Sequence, residues 1–214
     1  IVTIPPYADF IAEVAAHRLV SGLRLNTVMP LHETHQEVLQ RLMQFGKTVW
    51  VDLKGRQLRV AQPAIPPFTE VILSHAIEVP TPVDAFFSDG NEMARVLAVD
   101  GKRLILEDSP HRLIGPGESI NIIHPQLKIM GSLTESDHLY LKAMQVLGLN
   151  HTMLSFVESP QDINEIKKIL PNAEILLKIE SLKGLSFVRK YKNTYGQLMA
   201  ARGDLYVEVV RPHR

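Results

Sequence analysis

Two short apolar runs in the C-terminal third of the chain end in paired charges. Ile175-Leu176-Leu177 leads to Lys178 and Glu180, and Leu198-Met199-Ala200 leads to Arg202 and Asp204. Residues two apart on an extended strand share a face, so each run is expected to present one cation and one carboxylate in the same direction. Between them, Leu182, Leu185, Phe187 and Val188 are spaced for one face of a helix. Strand, helix and strand in that order predict a βαβ unit whose strand ends are neighbours. Glu180 and Asp204 would then offer two carboxylates at one rim, a set that suits Mg²⁺ while substrate oxygens and water complete its octahedron. Arg24, Arg59, Lys178 and Arg202 carry more positive charge than that site needs, so its missing partner is an anion, a carboxylate or a phosphate. Such a site can stabilise an enolate or a phosphoryl group in transfer. Asn26 and Asp52, oxygen donors without an evident acid–base task, are candidates for a second cation.

Each residue taken singly has a plainer reading. A strand-end carboxylate is commonly solvated or caps a helix, Lys178 with Glu180 could be a surface ion pair of little value, and Arg202 could pair with an acid at the opposite end of the strands. Five polar strand ends, however, would need five separate explanations: Arg24/Asn26, Asp52/Lys54, Ser155, Lys178/Glu180 and Arg202/Asp204. His32-x-x-His35 lacks the i,i+4 spacing of a helical zinc pair and has no third ligand in view, so a solvated or capping role is expected. Gly115-Pro116-Gly117 opens no helix and reads as a turn.

The elements that must position these residues fall into three stretches. Ile1–Ile4, Leu23–Asn26 and Thr48–Asp52 read as strands, alternating with helices over about Ala8–Val20 (Phe10, Ile11, Val14 and Leu19 on one stripe) and His32–Phe45. From Leu58 to about Ile129 helical periodicity vanishes, and short β-like runs appear at Glu70–Leu73, Met93–Val99, Arg103–Glu107 and Ser119–Ile123, with turns at Ser88-Asp89-Gly90 and Asp100-Gly101. Alternation then resumes: a helix over Thr134–Leu147 with Leu139, Leu141, Met144 and Leu147 inward, a strand at Met153–Val157, a helix at Pro160–Leu170, and the βαβ unit described above. The expected fold is α/β, a (β/α)8 TIM-type barrel lacking its C-terminal strands, with a small all-β domain inserted after strand 3. Its parts are 1–57 and 130–214 for the barrel and 58–129 for the insertion. An open doubly wound sheet is the alternative.

Composition sets the outer bounds. Lys plus Arg and Asp plus Glu number 23 each among 214 residues, so no global field favours nucleic acid or an anionic membrane. The absence of Cys excludes disulfides, thiolate metal sites and Cys nucleophiles. With no long apolar run and no signal-peptide layout at the start, a cytoplasmic protein is expected. Ile1 already lies in a strand pattern, and Val209-Val210-Arg211-Pro212-His213-Arg214 is expected just past another, so a fragment is expected.

The residues singled out lie in segments that resemble pyruvate kinases along nearly the whole chain. Met199–Glu208, MAARGDLYVE, is similar to the family's MVARGDLGVE, and Leu177–Glu180 to its (S/L)KIE. Leu23–His35 resembles VARLNFSHGTHEEH and Val51–Arg59 resembles LDTKGPEIR; Leu133–Asp137 resembles LSEKD, Leu154–Val157 ASFV, and Phe87–Gly90 the VDDG of the family's lid. The resemblance implies that Lys178 stabilises the transferring phosphoryl group and the enolate, and that Arg24 and Arg59 contact phosphate. It further implies Mg²⁺ on Glu180 and Asp204, K⁺ near Asn26, Asp52 and the Leu53 carbonyl, and a substrate carboxylate at the Gly203 backbone beside Arg202 and Ser155. The implied reaction moves phosphoryl from phosphoenolpyruvate to ADP, giving pyruvate and ATP. The expected partners are these small molecules and further copies of the chain in a homo-oligomer, without nucleic acid or membrane.

Departures from the family pattern concentrate in the K⁺ and nucleotide features. The serine of NFS is Val28, the threonine of DTKG is Leu53, and TIGPAS is Thr3-Ile4-Pro5-Pro6-Tyr7-Ala8. The lysine of the lid's KGVN segment stands as Glu118 in Glu118-Ser119-Ile120-Asn121, where a negative charge would oppose ADP phosphates. The threonine implicated in proton delivery and the regulatory domain would follow Arg214. Two other readings stay open: a Mg²⁺-dependent lyase or aldolase acting on a 2-oxo acid through the same enolate site, and a non-catalytic metabolite-binding relative.

Overall fold

The computed structural model describes residues 1–210. Six strands form one parallel sheet: β1 (Val2–Ile4), β2 (Gly22–Asn26), β3 (Thr48–Leu53), β11 (His151–Leu154), β12 (Glu174–Ile179) and β13 (Gln197–Ala200). They lie side by side in chain order, without the reversal that defines a doubly wound sheet. The helices α1 (Ile11–Ala16), α2 (His35–Met43), α3 (Glu135–Leu147), α4 (Pro160–Ile169) and α5 (Leu182–Tyr191) connect them, and α6 (Arg202–Val210) follows β13. This is a mixed α/β chain whose main sheet winds in one direction, as in a β/α barrel.

The register aligns the strand ends. Asn26 sits opposite Asp52, Leu53 opposite Leu154, Leu154 opposite Leu177, and Lys178 and Ile179 opposite Met199 and Ala200. The sheet is anchored by buried Leu23, Leu25, Val51, Leu53, Leu154 and Leu177, against which Val38, Leu42, Leu141, Met144, Ile163 and Ile166 pack from the helices.

Between β3 and α3 the chain builds a separate antiparallel sheet in the order β4 (Glu70–Ile72), β8 (Arg103–Leu106), β7 (Glu92–Asp100), β6 (Val83–Phe87) and β9 (Ile120–Ile122). Its own core includes Leu58, Val71, Phe87, Val96, Leu104 and Ile122. A two-stranded pair, β5 (Ile77–Glu78) with β10 (Lys128–Ile129), flanks it. Ser88 and Asp89, both at positive φ, make the expected turn between β6 and β7, and Gly101 turns β7 into β8.

Several elements differ from expectation. α1 is a short helix, because His17 leaves it in an extended conformation and its ring accepts the Leu19 N–H; Phe10 and Leu19 are consequently exposed and only Ile11 and Ala15 are buried. α2 begins at His35, not His32, because Thr34 caps it in a reciprocal box with Glu37. Leu139, expected inward on α3, is largely exposed. An additional strand, Val83–Phe87, follows directly on Pro80 and Pro82, whose composition reads as loop. The segment after Ala200 is helix, so Arg202 and Asp204 occupy a helix's first turn and the chain does not run in strand toward Val210. Arg211 to Arg214 lie outside the described residues. No described helix is long and apolar enough to cross a membrane.

The two sheets are tied by buried charge. Asp137, fully buried in the first turn of α3, accepts from the backbone N–H of Lys54 (2.9 Å), Gly55 (3.1 Å) and Thr134 (2.9 Å). Gly55 is required there: its φ is +55°, and a Cβ would stand 2.4 Å from the Ser155 carbonyl oxygen. Removing the carboxylate leaves one buried and two half-buried backbone donors unpaired, so Asp137→Ala is expected to lower stability by about 3 kcal/mol in urea unfolding.

Candidate active site

Every residue proposed from the sequence lines one cleft of about 540 Å³ between the strand ends and the inserted sheet: Arg24, Asn26, Asp52, Leu53, Arg59, Ser155, Lys178, Glu180, Arg202, Gly203 and Asp204. The parallel register explains this, since all but Arg59 come from strand C-termini or the residues just beyond them.

Lys178 is the centre. Its side chain is nine-tenths buried, and its Nζ donates to Ser155 Oγ at 2.8 Å and pairs with Glu180 Oε1 at 3.1 Å and Asp52 Oδ1 at 3.4 Å. A buried ammonium is tolerable only with such partners. The other Asp52 oxygen receives Arg24 through Nε at 2.9 Å and through Nη2, and the Arg24 Nη1 donates to Thr3 Oγ1 at 2.9 Å. Asp52 therefore bridges two cations.

Burial raises the pKa of both the Glu180 and the Asp204 carboxyls; the charge of Asp204 adds to the first shift and that of Asp89 to the second. Glu180 Oε2 accepts the Phe156 N–H at 2.9 Å. Phe156 has φ +52°, an uncommon conformation for a residue with a side chain, and it lies directly beyond the Ser155 that holds Lys178. Asp204 accepts from Gln57 Nε2 at 3.0 Å and Asn121 Nδ2 at 3.4 Å. Two carboxylates raised by burial, with neutral amide donors around one of them, fit a divalent cation. Among the described residues no group of three or more His, Cys, Asp or Glu is placed to hold a metal, so substrate and water would supply the remaining ligands.

The monovalent-cation residues are each partnered. Asn26 Oδ1 accepts the Val28 N–H at 3.2 Å, the Leu53 carbonyl accepts the Ser155 N–H at 3.2 Å, and Asp52 pairs with Arg24 and Lys178. These oxygens keep acceptor capacity, and Asp52 Oδ1 is buried without a hydrogen bond among the described residues, so the set could hold a cation, with the apolar Val28 adding no side-chain oxygen.

The anion-binding groups are poised. Arg59 donates to the Gly117 carbonyl at 2.5 Å and to Gln57 Oε1, and its Nε is buried without a partner among the described residues. Arg202 is exposed, and the first-turn N–H groups of α6 around Gly203 have no intrahelical acceptor. A Cβ on Gly203 would meet nothing within 4 Å, so the approach to that backbone is open.

The sequence reading missed Gln57 and Asn121. Gln57 links Arg59 to Asp204, and its position two residues before Arg59 on an extended segment was the signal available. Asn121 closes the Glu118-Ser119-Ile120-Asn121 segment. The two histidines serve packing: His35 stacks edge-on against Tyr140 at 4.4 Å and His32 lies against Tyr7 at 5.1 Å.

Glu118 does line the cleft, but its carboxylate is spoken for. Oε1 accepts from Arg112 Nη1 (3.1 Å) and the Gly115 N–H (2.6 Å), while Oε2 accepts from Arg112 Nη2 (2.7 Å) and Ser88 Oγ.

Comparison with known proteins decides the family. The family model described as pyruvate kinase, barrel domain, matches residues 72–213. The chain belongs to the pyruvate kinase family. Similar curated proteins are the pyruvate kinases of Borreliella burgdorferi, 28% identical over 89% of this chain and 45% of that protein, and Methanocaldococcus jannaschii, 23% identical over 91% and 46%. The Lactococcus lactis pyruvate kinase is 27% identical over 92% of this chain and 41% of its own length. The chain thus spans less than half the length of these pyruvate kinases.

Burial works against ionisation of Glu118, yet Arg112, Ser88 and the Gly115 N–H hold its pKa down to about 2. A depressed carboxyl stabilises the fold above the ordinary carboxylate range and loses that contribution as pH falls toward 2. Glu118→Gln is therefore expected to cost about 1 kcal/mol near neutral pH, allowing for the exposure of Arg112. The difference between variant and parent should shrink to nothing in acid, as read by denaturant titration across pH.

Proposed function

We propose that this chain carries the enolate- and phosphoryl-stabilising half of a pyruvate kinase active site, which transfers the phosphoryl group of phosphoenolpyruvate to ADP. The observation that carries the reading is Lys178, a buried ammonium fixed by Ser155, Asp52 and Glu180 at the floor of a cleft rimmed with arginine. In the reaction the bond from phosphorus to the enol oxygen breaks, a bond forms to a terminal ADP oxygen, and the enolate takes a proton at its methylene carbon. Negative charge grows on the enol oxygen and spreads over the phosphoryl oxygens, and fixed cations lower the barrier most where charge develops.

Glu180 and Asp204 would hold Mg²⁺, which supplies charge neutralisation at the enolate and phosphoryl oxygens when bound. Lys178 offers its ammonium to the transferring group, and Ser155 fixes the direction in which that ammonium points. Arg59 and Arg24 bind phosphoryl oxygens, with Arg59 contributing its unpartnered Nε. The α6 N-terminus at Gly203, with Arg202 beside it, receives the substrate carboxylate. Gln57 and Asn121 keep the Asp204 carboxylate turned into the cleft.

The architecture belongs to the same proposal. Residues 1–57 and 130–214 form barrel, continuing in the complete protein to an eight-stranded closure, and 58–129 form a lid. The proposed partners are phosphoenolpyruvate, pyruvate and adenine nucleotides, with the complete protein assembling as a homo-oligomer in the cytoplasm. K⁺ would sit near Asn26, Asp52 and the Leu53 carbonyl, where Val28 brings no side-chain oxygen.

A second reading is favoured by one observation. The lid wall of the cleft carries Asp89 and Glu118, which suits a nucleotide-free enolate reaction on a 2-oxo acid, of lyase or aldolase type. The two readings separate cleanly in solution. With Mg²⁺ present, the full-length protein should form pyruvate from phosphoenolpyruvate only when ADP is added. Lys178→Met should lower kcat by on the order of 10³ with a smaller change in KM. Absence of turnover at saturating ADP, together with nucleotide-independent exchange of the pyruvate methyl protons, would replace the kinase reading with the lyase one.

A further inference from the structure

A second cavity, of about 300 Å³, lies in the seam between the two sheets. That is at the lower end of small-molecule sites, which run from about 300 to 1,000 Å³. Its walls are apolar on both sides, with Ile120, Ile122 and Leu127 from the insertion facing Phe156 and Leu182 from the parallel-sheet side.

Into this apolar space open two carboxyls, Glu158 and Glu208. Glu208 is 8% exposed, its only hydrogen bond is a long one of 3.5 Å from the Leu182 N–H to Oε2, and its Oε1 has none among the described residues. Glu158 Oε1 accepts the Ser181 hydroxyl at 2.7 Å. The cations nearby are committed. Arg56 pairs with Asp162 and donates to the Ile129 and Gly131 carbonyls, and Lys183 Nζ donates to the Leu127 carbonyl. His124 uses Nδ1 as an acceptor for the Gln126 N–H. With Arg56 matched by Asp162, two carboxylates stand against the single charge of Lys183.

We propose that this cavity binds a small apolar primary amine, with its hydrocarbon part among Ile122, Leu127 and Phe156 and its ammonium on Glu208 and Glu158. A carboxylate wrapped in apolar walls is relieved by a cation it can hydrogen-bond and worsened by an anion. Burial, with the charges of Glu158 and Asp204 against that of Lys183, pushes the Glu208 carboxyl up to about 7, as expected of an acid that lacks its counter-ion.

The cavity is separate from the cleft but touches its supports. Phe156 gives its N–H to Glu180, and Asn121 donates to Asp204. An occupant would bear on both candidate metal ligands, and any such effect would be reciprocal. That coupling rests on the proposed function; the binding of the amine does not.

Calorimetric titration of the full-length, Mg²⁺-free protein at about pH 8, where Glu208 is ionised, tests the proposal directly. 2-Phenylethylamine should bind saturably, and the uncharged 2-phenylethanol roughly tenfold more weakly or worse. Glu208→Gln should weaken the amine by a similar factor. Ser186→Trp, at an exposed position on the cavity wall, should block it without touching either carboxyl, and it decides the matter if the first variant fails to fold. Equal binding of amine and alcohol, no saturable binding of either, or unchanged amine affinity in a folded variant would overturn the proposal.

Discussion

A lysine ammonium buried at the end of a central strand constrains everything around it. An ammonium buried there without partners would be costly. Lys178 is held by carboxylates from two strands, Asp52 on β3 and Glu180 just past β12, and by a hydroxyl past β11. Asp52 in turn needs Arg24 on β2 to offset its own burial. Three strands, β2, β3 and β12, thus contribute to one alternating line of charge, Arg24, Asp52, Lys178 and Glu180, with the Ser155 hydroxyl past β11 beside it. The parallel register makes this line possible, because it sets these strand ends level with one another.

The same rim explains the position of the inserted sheet. Chain leaving β3 turns at Gly55, where the Lys54 and Gly55 N–H groups are held by Asp137, and Arg56 then reaches Asp162 at the start of α4. Arg56 also holds the Ile129 and Gly131 carbonyls on the returning strand. Entry and exit of the insertion are therefore clamped to α3 and α4 by two buried carboxylates. The two sheets keep separate apolar cores, and these polar contacts fix the insertion at the points where its chain enters and leaves. Gln57 and Asn121, both from the insertion side, reach across to Asp204 and complete the cleft.

Much of this was legible in the sequence because apolar strands ending in charge are costly unless the charges are used. The parallel strands and the helices α3, α4 and α5 followed from periodicity and capping, and the eleven proposed residues do share one cleft. Three features escaped for physical reasons. Arg202 and Asp204 fit a strand continuing from Ala200 as well as a helix's first turn, since two residues set no period. The strand Val83–Phe87 alternates in burial but follows Pro80 and Pro82, which read as loop, and runs into the Ser88-Asp89-Gly90 turn. Gln57 and Asn121 carry no charge and pattern like any exposed amide, and only the meeting of the two sheets turns them toward Asp204.

Glu118 shows how a charge read from sequence can mislead about the field it creates. On the chain it stands as an acid at a phosphate-facing position. In the fold, Arg112 and the Gly115 N–H satisfy its carboxylate on one side, with Arg112 again and Ser88 on the other. What an incoming anion meets is the sum of that cluster, in which Arg112 also carries Glu92. The wall is therefore weakly acidic and rigid, not a free carboxylate swinging into the cleft. Any nucleotide bound there would have to be held mainly by Arg59 at the entry to the insertion and by Arg202 and Lys178 from the strand ends. Charge in the cleft is thus divided between its walls: Arg24, Lys54, Lys178 and Arg202 outnumber Asp52, Glu180 and Asp204 on the strand-end side, while Asp89 and the Glu118 cluster face them from the inserted sheet.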